Sequence, residues 1–545
     1  MAMIGFVLGT AAAGTVGYGL LRWRFKTEAT TYGSASALSP WSAMQNNLFR
    51  RKGLIVGDWS LADLPVYYDD THAITFGPSG SGKGTAAILP AILDSRFVFI
   101  NDPGGENAAI AIKQWRAQGY EVTVINPFGM HPEEPWALPR DGFNPMDILD
   151  PRDPQFAAHA ELLAEMVTPR SGRENGSSQF FKDTGQTFKQ ALIIHIRTAR
   201  PKDQHHLGTL YELVNLSADD WDKLLEEMKD NPVADGLVAA EANAMERRDG
   251  QAPEEFSAIM STLQQDLRWL ADPLVRQNLK RSDVDFRALK GTDRHGRPVK
   301  GCIIAVVLPL EYNETHAAIP RLAMGCAIWT MQRAPLAREK VLFVIDEAAA
   351  LRKISRFPNW LATLRKYRVV LWPIFQNLGQ VKALYGQEWQ GFIANCGLRQ
   401  FLGAADLETA EYIHRLIGEF TTESRSVNAE GKASTSETRR PLLTVDEILH
   451  FDDNKQIAFI RNLKPAFLRK TRYWQRAALR GRYHRNPYQS GRTPQAYGAW
   501  ARRLWGMALY AAAFMLAPHP VAALLYLAGL GYGLFRLWEV ISHAL

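Results

Sequence analysis

Gly77-Pro78-Ser79-Gly80-Ser81-Gly82-Lys83-Gly84-Thr85 follows the β-prone run Ile74-Thr75-Phe76 and leads into the apolar stretch Ala86 to Leu93. Strand, glycine-rich loop and helix in that order make a phosphate cradle. Successive backbone N–H groups point at the anion and the helix N-terminus adds its positive dipole end. Lys83 then reaches the β- and γ-phosphates of a nucleotide. Glycines are needed where backbone must approach oxygen, and the spacing from Gly77 to Gly82-Lys83 separates this loop from a plain Gly/Ser linker. The helix is expected to be kinked or ended by Pro90.

A second stretch strengthens this reading. Val341-Leu342-Phe343-Val344-Ile345 is an apolar run that ends in Asp346-Glu347. It reads as a buried strand of a parallel sheet, and in such sheets ligands gather at the carboxyl ends of the strands. Asp346 is therefore expected near Lys83, holding Mg²⁺ directly or through water, with Glu347 orienting or deprotonating the attacking water. The wider loop pattern places Ser or Thr after the lysine to bind Mg²⁺, whereas this chain has Gly84 there. Thr85 comes one position late. Either Thr85 reaches the metal from a shifted helix start, or Asp346 and waters hold it.

The chain has 545 residues, enough for several domain-sized units. Its 63 basic and 56 acidic side chains leave a net charge of +7, which suits nucleic acid or an anionic membrane face. The excess is concentrated between Arg469 and Arg503, where acids are scarce. Cys302, Cys326 and Cys396 are too far apart for a metal-ligand pair or a disulfide framework and are expected to be buried thiols.

Met1 to Leu21 lacks charged side chains, and Arg22, Arg24 and Lys26 follow it. That is the pattern of a membrane span whose C-terminal side stays in the cytoplasm. Leu504–Ala517 and Val521–Phe535 flank Pro518-His519-Pro520 and read as a C-terminal apolar hairpin, either spanning or lying shallowly in the membrane. Between these ends strand and helix signals alternate, except from about Pro154 to Lys290, where the signal is helical throughout. There Ser217-Ala218-Asp219-Asp220 caps a helix presenting Trp221, Leu224, Leu225 and Met228 on one face. Strands resume at Cys302–Pro309, Val341–Ile345, Val369–Phe375, Leu398–Gly403 and Gln456–Ile460, and Thr421–Arg440 reads as a polar loop or hairpin. The fold class is α/β, a parallel sheet covered on both faces.

Further motifs carry a family resemblance. They are Asn101-Asp102-Pro103-Gly104-Gly105-Glu106-Asn107, INPFG at 125–129, FNPMD at 143–147, FQNLGQVKALYG at 375–386, ADLETAEYI at 405–413 and RPLLTVDEIL at 440–449. In this order they resemble the TraG-type coupling proteins of type IV secretion and conjugation over most of positions 50 to 475. The first motif is similar to the family's DPKGEN, with Gly104 in place of Lys, and the family's loop commonly reads SGKG, which Gly84 matches.

The resemblance implies a RecA-like P-loop ATPase core using ATP and Mg²⁺, with an all-α subdomain inserted. The expected divisions are a transmembrane segment (1–24), the first part of the core (25–152), the all-α subdomain (153–290), the second part of the core (291–475), a basic juxtamembrane linker (476–503) and the membrane hairpin (504–541). It also implies that Gln376 senses the γ-phosphate or water, and that Arg365 acts as an arginine finger across a subunit boundary. The implied assembly is a homo-hexamer at the bacterial inner membrane with its ATPase body on the cytoplasmic side. Its implied partners are single-stranded DNA, a relaxase or other secreted protein, and components of the secretion channel.

Overall fold

The computed structural model describes residues 31–59, 63–172, 176–337, 339–427 and 433–489. The expected spans at 1–24 and 504–541 lie outside these residues, and among the described residues no helix is long and apolar enough to cross a membrane. The strands before the helical insert are β1 (Leu54–Trp59), β2 (Leu64–Tyr68), β3 (His72–Phe76), β4 (Phe97–Pro103) and β5 (Glu121–Ile125). After it come β6 (Cys302–Leu308), β7 (Val341–Ile345), β8 (Val369–Phe375), β9 (Cys396–Phe401), β10 (Glu419–Val427), β11 (Ala433–Pro441), β12 (Lys455–Ile460) and β13 (Ala466–Arg469).

All but β10 and β11 join one 11-stranded sheet, in the order β2-β1-β13-β12-β9-β3-β8-β7-β4-β6-β5. From β5 across to β9 neighbouring strands run parallel. Beyond β9 the sheet continues antiparallel through β12, β13, β1 and β2, an extension that the alternating strand–helix pattern does not predict. Two of these pairings are local, since β1–β2 and β12–β13 are joined by short connections, which allow only antiparallel pairing. The polar run Thr421–Arg440 forms the separate β10–β11 hairpin.

The parallel strands are buried on both faces, which is why they read as continuous apolar runs. On one face Phe76, Phe99, Ile304, Phe343 and Leu371 pack in a core that continues into the helical insert. On the other, Ala73, Val98, Ile100, Val344 and Trp372 pack against the helices that follow β3 and β4. A buried polar network crosses this second face. Trp372 Nε1 donates to Thr75 Oγ1, and Thr75 Oγ1 donates to Gln400 Oε1, each at 2.8 Å. Gln400 Nε2 donates to Val56 O at 2.9 Å and to Gln456 Oε1 at 2.6 Å. Fully paired groups in a dry interior fix register, and this network ties the antiparallel extension to the parallel core.

The insert is helical from Phe156–Val167 to Pro273–Asn278. Ser217 caps the helix Ala218–Lys229 by accepting from Asp220 N, and Trp221, Leu224, Leu225 and Met228 are its buried residues. Lys189 is fully buried and pairs with Asp266 at 2.6 Å, and Lys182 bonds the other oxygen of that carboxylate. The three cysteines are buried and unpaired, and burial pushes the Cys396 thiol up to about 12.

One buried group makes stability depend on pH. His72, at the start of β3, accepts from Leu371 N at 2.9 Å through Nδ1, which requires the neutral ring. Burial, with Arg461 and Arg365 nearby, lowers its pKa from 6.5 to about 4. Between those values the unfolded chain binds the extra proton, so this contribution is complete above pH 6.5 and is lost as pH falls towards 4. We expect about 2 kcal/mol less stability from this group at pH 5 than at pH 7. Denaturant midpoints at the two pH values check this, and the loss should shrink in His72→Gln. An identical loss in the variant would assign the effect elsewhere.

Candidate nucleotide-binding site

Four neighbouring strands, β3, β8, β7 and β4, deliver their carboxyl ends to one place. β3 runs into the Gly77 loop, Gln376 follows β8, Asp346 and Glu347 follow β7, and Asp102 lies near the end of β4. Gly77 N donates to Phe375 O at 3.0 Å, fastening the loop's entry to β8. Gly80 and Gly82 take φ of 78° and 90°, the left-handed region where a side chain would be strained. A Cβ at Gly77 would lie 2.5 Å from Ser81 Oγ, so a side chain there would crush the loop.

The helix after the loop departs from expectation. Lys83–Ile88 is a π-helical turn, and an α-helix follows over Leu89–Asp94. Pro90 sits in the first turn of that α-helix and therefore neither kinks nor ends it. The first turn demands no N–H from residue 90, and the proline ring presets its φ.

Lys83 Nζ donates to Gly77 O at 3.0 Å and lies 3.7 Å from Glu347 Oε1. Gln376 Nε2 donates to Glu347 Oε2 at 3.1 Å. Lysine, glutamate and glutamine, far apart in sequence, thus form one connected group. Glu347 is held in the left-handed conformation, φ 48° and ψ 49°, which is costly for a residue with a side chain. Such strain persists only where the surroundings over-determine it, as functional sites do.

Asp346 and Asp102 stand at the ends of adjacent strands, close enough for the charge of Asp102 to act on Asp346. Asn101 Nδ2 donates to Asp346 O at 2.8 Å and Asp346 N donates to Asn101 O at 3.3 Å, clamping the ends of β4 and β7 together. Loss of hydration, then the charges of Glu347 and Asp102, push the Asp346 carboxyl up to about 7, against the pull of Lys83. Asp102 is also pushed up to about 7, chiefly by burial, although Ala108 N and Asn107 donate to its carboxylate. Two carboxyls so unfavourably charged together suit a site that receives a cation.

Thr85 is turned back on the loop, with Oγ1 3.5 Å from Gly82 O. Arg365 precedes β8 and so lies at the amino ends of the strands, away from the loop, exposed and paired with Asp70 at 2.8 Å.

The basic run beginning at Arg469 also departs from a solvated tail. Lys470 is buried and donates to Ser81 O at 3.0 Å and Leu402 O at 2.8 Å, bracing the loop. Arg476, expected to open a linker, pairs with buried Asp58 at 2.8 Å. Beyond it Trp136 Nε1 donates to Arg485 O, Asn486 donates to Glu106, and Tyr488 Oη donates to Gly104 O. This segment packs on the body because it carries Tyr473 and Leu479 as buried anchors among its cations.

A parallel sheet with a glycine-rich loop at one strand end and acids at its neighbours is the architecture of a P-loop α/β nucleotide-binding fold. The chain belongs to the family of type IV secretory system conjugative DNA transfer proteins, whose pattern matches residues 29–497. Protein VirD4 of Agrobacterium fabrum (strain C58 / ATCC 33970) is 25% identical over 427 residues, covering 76% of this chain and 60% of that protein. Conjugal transfer protein TraG of Escherichia coli is 24% identical, covering 74% of this chain and 66% of its own length. The chain therefore spans about three-fifths of the VirD4 relative it matches. Among solved structures, the unbound bacterial conjugative coupling protein TrwBdeltaN70 superposes with TM-score 0.59 at 15% identity, over 82% of this chain and 97% of that one. TrwB in complex with ADP and Mg²⁺ gives TM-score 0.58 at 16% identity, over 80% and 93%.

Proposed function

We propose that this chain is the ATP-hydrolysing coupling protein of a type IV secretion apparatus. In this reading it recruits a DNA-bound relaxase or another protein substrate and drives it into the channel during conjugation. The observation that carries the proposal is the connected group Lys83–Glu347–Gln376 beneath the glycine loop, beside Asp346.

The residues fit ATP and Mg²⁺. Ser81 Oγ is buried without a hydrogen-bond partner in a loop whose glycines leave room for phosphate. Bound Mg²⁺ would screen the phosphate charge, with Asp346 as its protein ligand, directly or through water. Lys83 offsets charge on the β- and γ-phosphates, and doing so frees Glu347 from its ion pair. Glu347 takes the proton from the attacking water, and Gln376, already bonded to Glu347, reports whether the γ-phosphate is present. Asp70 and Arg365 are both at the surface, so their pairing is weak and Arg365 can be released to serve a neighbouring subunit's site in a homo-hexamer. The apolar ends at 1–24 and 504–541 would anchor the ring at the bacterial inner membrane with this body in the cytoplasm.

The test is ATP turnover by the chain with and without single-stranded DNA, beside Arg365→Ala. We expect turnover to rise with protein concentration and with DNA, the DNA effect to fade with salt, and Arg365→Ala to lose about 10³-fold. Nucleotide binding and verified assembly with no turnover would instead describe a receptor that uses nucleotide only to set its state.

A further inference from the structure

Gly84 leaves a gap in the site. A Cβ built there would lie 3.4 Å from Asn107 Oδ1, so a hydroxyl side chain at position 84 would stand beside that oxygen. Asn107 is the second residue of the helix Glu106–Ala117, whose tight entry uses Gly104 and Gly105 at φ of 81° and 69°. Its side chain is oriented by the Asp102 carboxylate. Nδ2 donates to Asp102 Oδ1 at 2.8 Å, and that carboxylate also accepts from Asn107 N at 3.3 Å and Ala108 N at 2.7 Å. The carboxamide oxygen must therefore face the other way, towards Gly84.

Asn107 is 4% exposed and its Oδ1 has no hydrogen-bond partner. A buried acceptor left unmade is unfavourable, and a hard cation prefers oxygen donors of this kind. We infer that Asn107 Oδ1 is the neutral oxygen donor that takes the place of the missing hydroxyl at position 84 and holds the divalent cation accompanying the nucleotide, directly or through one water. The inference rests on the nucleotide reading of the loop and adds to it the residue that completes the cation's protein ligands. Asp102 positions Asn107, and so an acid that would otherwise sit as a second charge beside Asp346 serves to aim a neutral donor.

The experiment is equilibrium binding of a fluorescent non-hydrolysable ATP analogue to the detergent-solubilised full chain, titrated with Mg²⁺ or with Mn²⁺ followed by electron paramagnetic resonance. Asn107→Ala should raise the cation concentration for half-maximal binding about tenfold and leave binding without cation unchanged. Adding Gly84→Ser to Asn107→Ala should restore most of that loss, which a merely structural role would not allow. Asn107→Ser keeps a donor for Asp102 and should fold even if Asn107→Ala does not, with the same raised requirement. An unchanged cation requirement in a folded Asn107 variant overturns the inference, as does equal loss of binding with and without cation. No nucleotide binding by the wild-type chain would overturn the nucleotide reading itself, and this assignment with it.

Discussion

Glu347→Gln is expected to cut ATP turnover by about 10²–10⁴-fold while leaving nucleotide affinity unchanged. The glutamate is the carboxylate nearest Lys83, 3.7 Å away, and its other oxygen accepts from Gln376 at 3.1 Å. Its left-handed backbone places it where it is at a conformational cost, so the position of the carboxylate is set by the fold. Glutamine has the same shape and still offers Gln376 an acceptor, but it cannot take a proton from water. Binding of a fluorescent analogue and turnover, measured on one preparation, separate the two effects. Turnover within about tenfold of wild type would remove Glu347 from the base role.

Lys83→Ala is the second large effect. Lys83 is the cation inside the loop, donating to Gly77 O and lying beside Glu347. A charged hydrogen bond to phosphate is worth about 1.5–3 kcal/mol, so affinity should drop by about 10–100-fold, and turnover should fall further because charge builds up on phosphate oxygens during transfer. The fold should be unaffected, since the loop is still braced by Lys470 and by the Gly77–Phe375 bond. Melting that matches wild type alongside failed binding supports the assignment. Unimpaired binding would contradict it.

The parts of this site that lie within one short segment are legible in the sequence. The Gly77 loop announces itself by glycine spacing, and Asp346-Glu347 by ending an apolar run. What the sequence does not announce is set by contacts between distant segments. Lys470 sits in a basic run like any surface lysine, yet the fold carries it to the carbonyl of Ser81. Asn107 stands in a recognisable motif, but only the turn at Gly104–Gly105 aims its oxygen at Gly84. The antiparallel extension was hidden for a related reason. β1–β2 and β12–β13 are pairs of short strands brought together from opposite ends of the chain, and their register depends on Gln400 and Gln456, whose polarity reads as surface when seen in sequence. Arg365 shows the converse, since only the family resemblance singles it out among its basic neighbours and the fold shows it exposed and paired with Asp70.

The most direct measurement is a structure of the chain with a non-hydrolysable ATP analogue and Mg²⁺. The account predicts the triphosphate in the Gly77–Thr85 loop, Lys83 shifted from Glu347 to the β- and γ-phosphates, and the metal between Asp346 and those phosphates. Nucleotide bound elsewhere, or a loop that stays closed on Lys83 with Glu347 still paired to it, would contradict it.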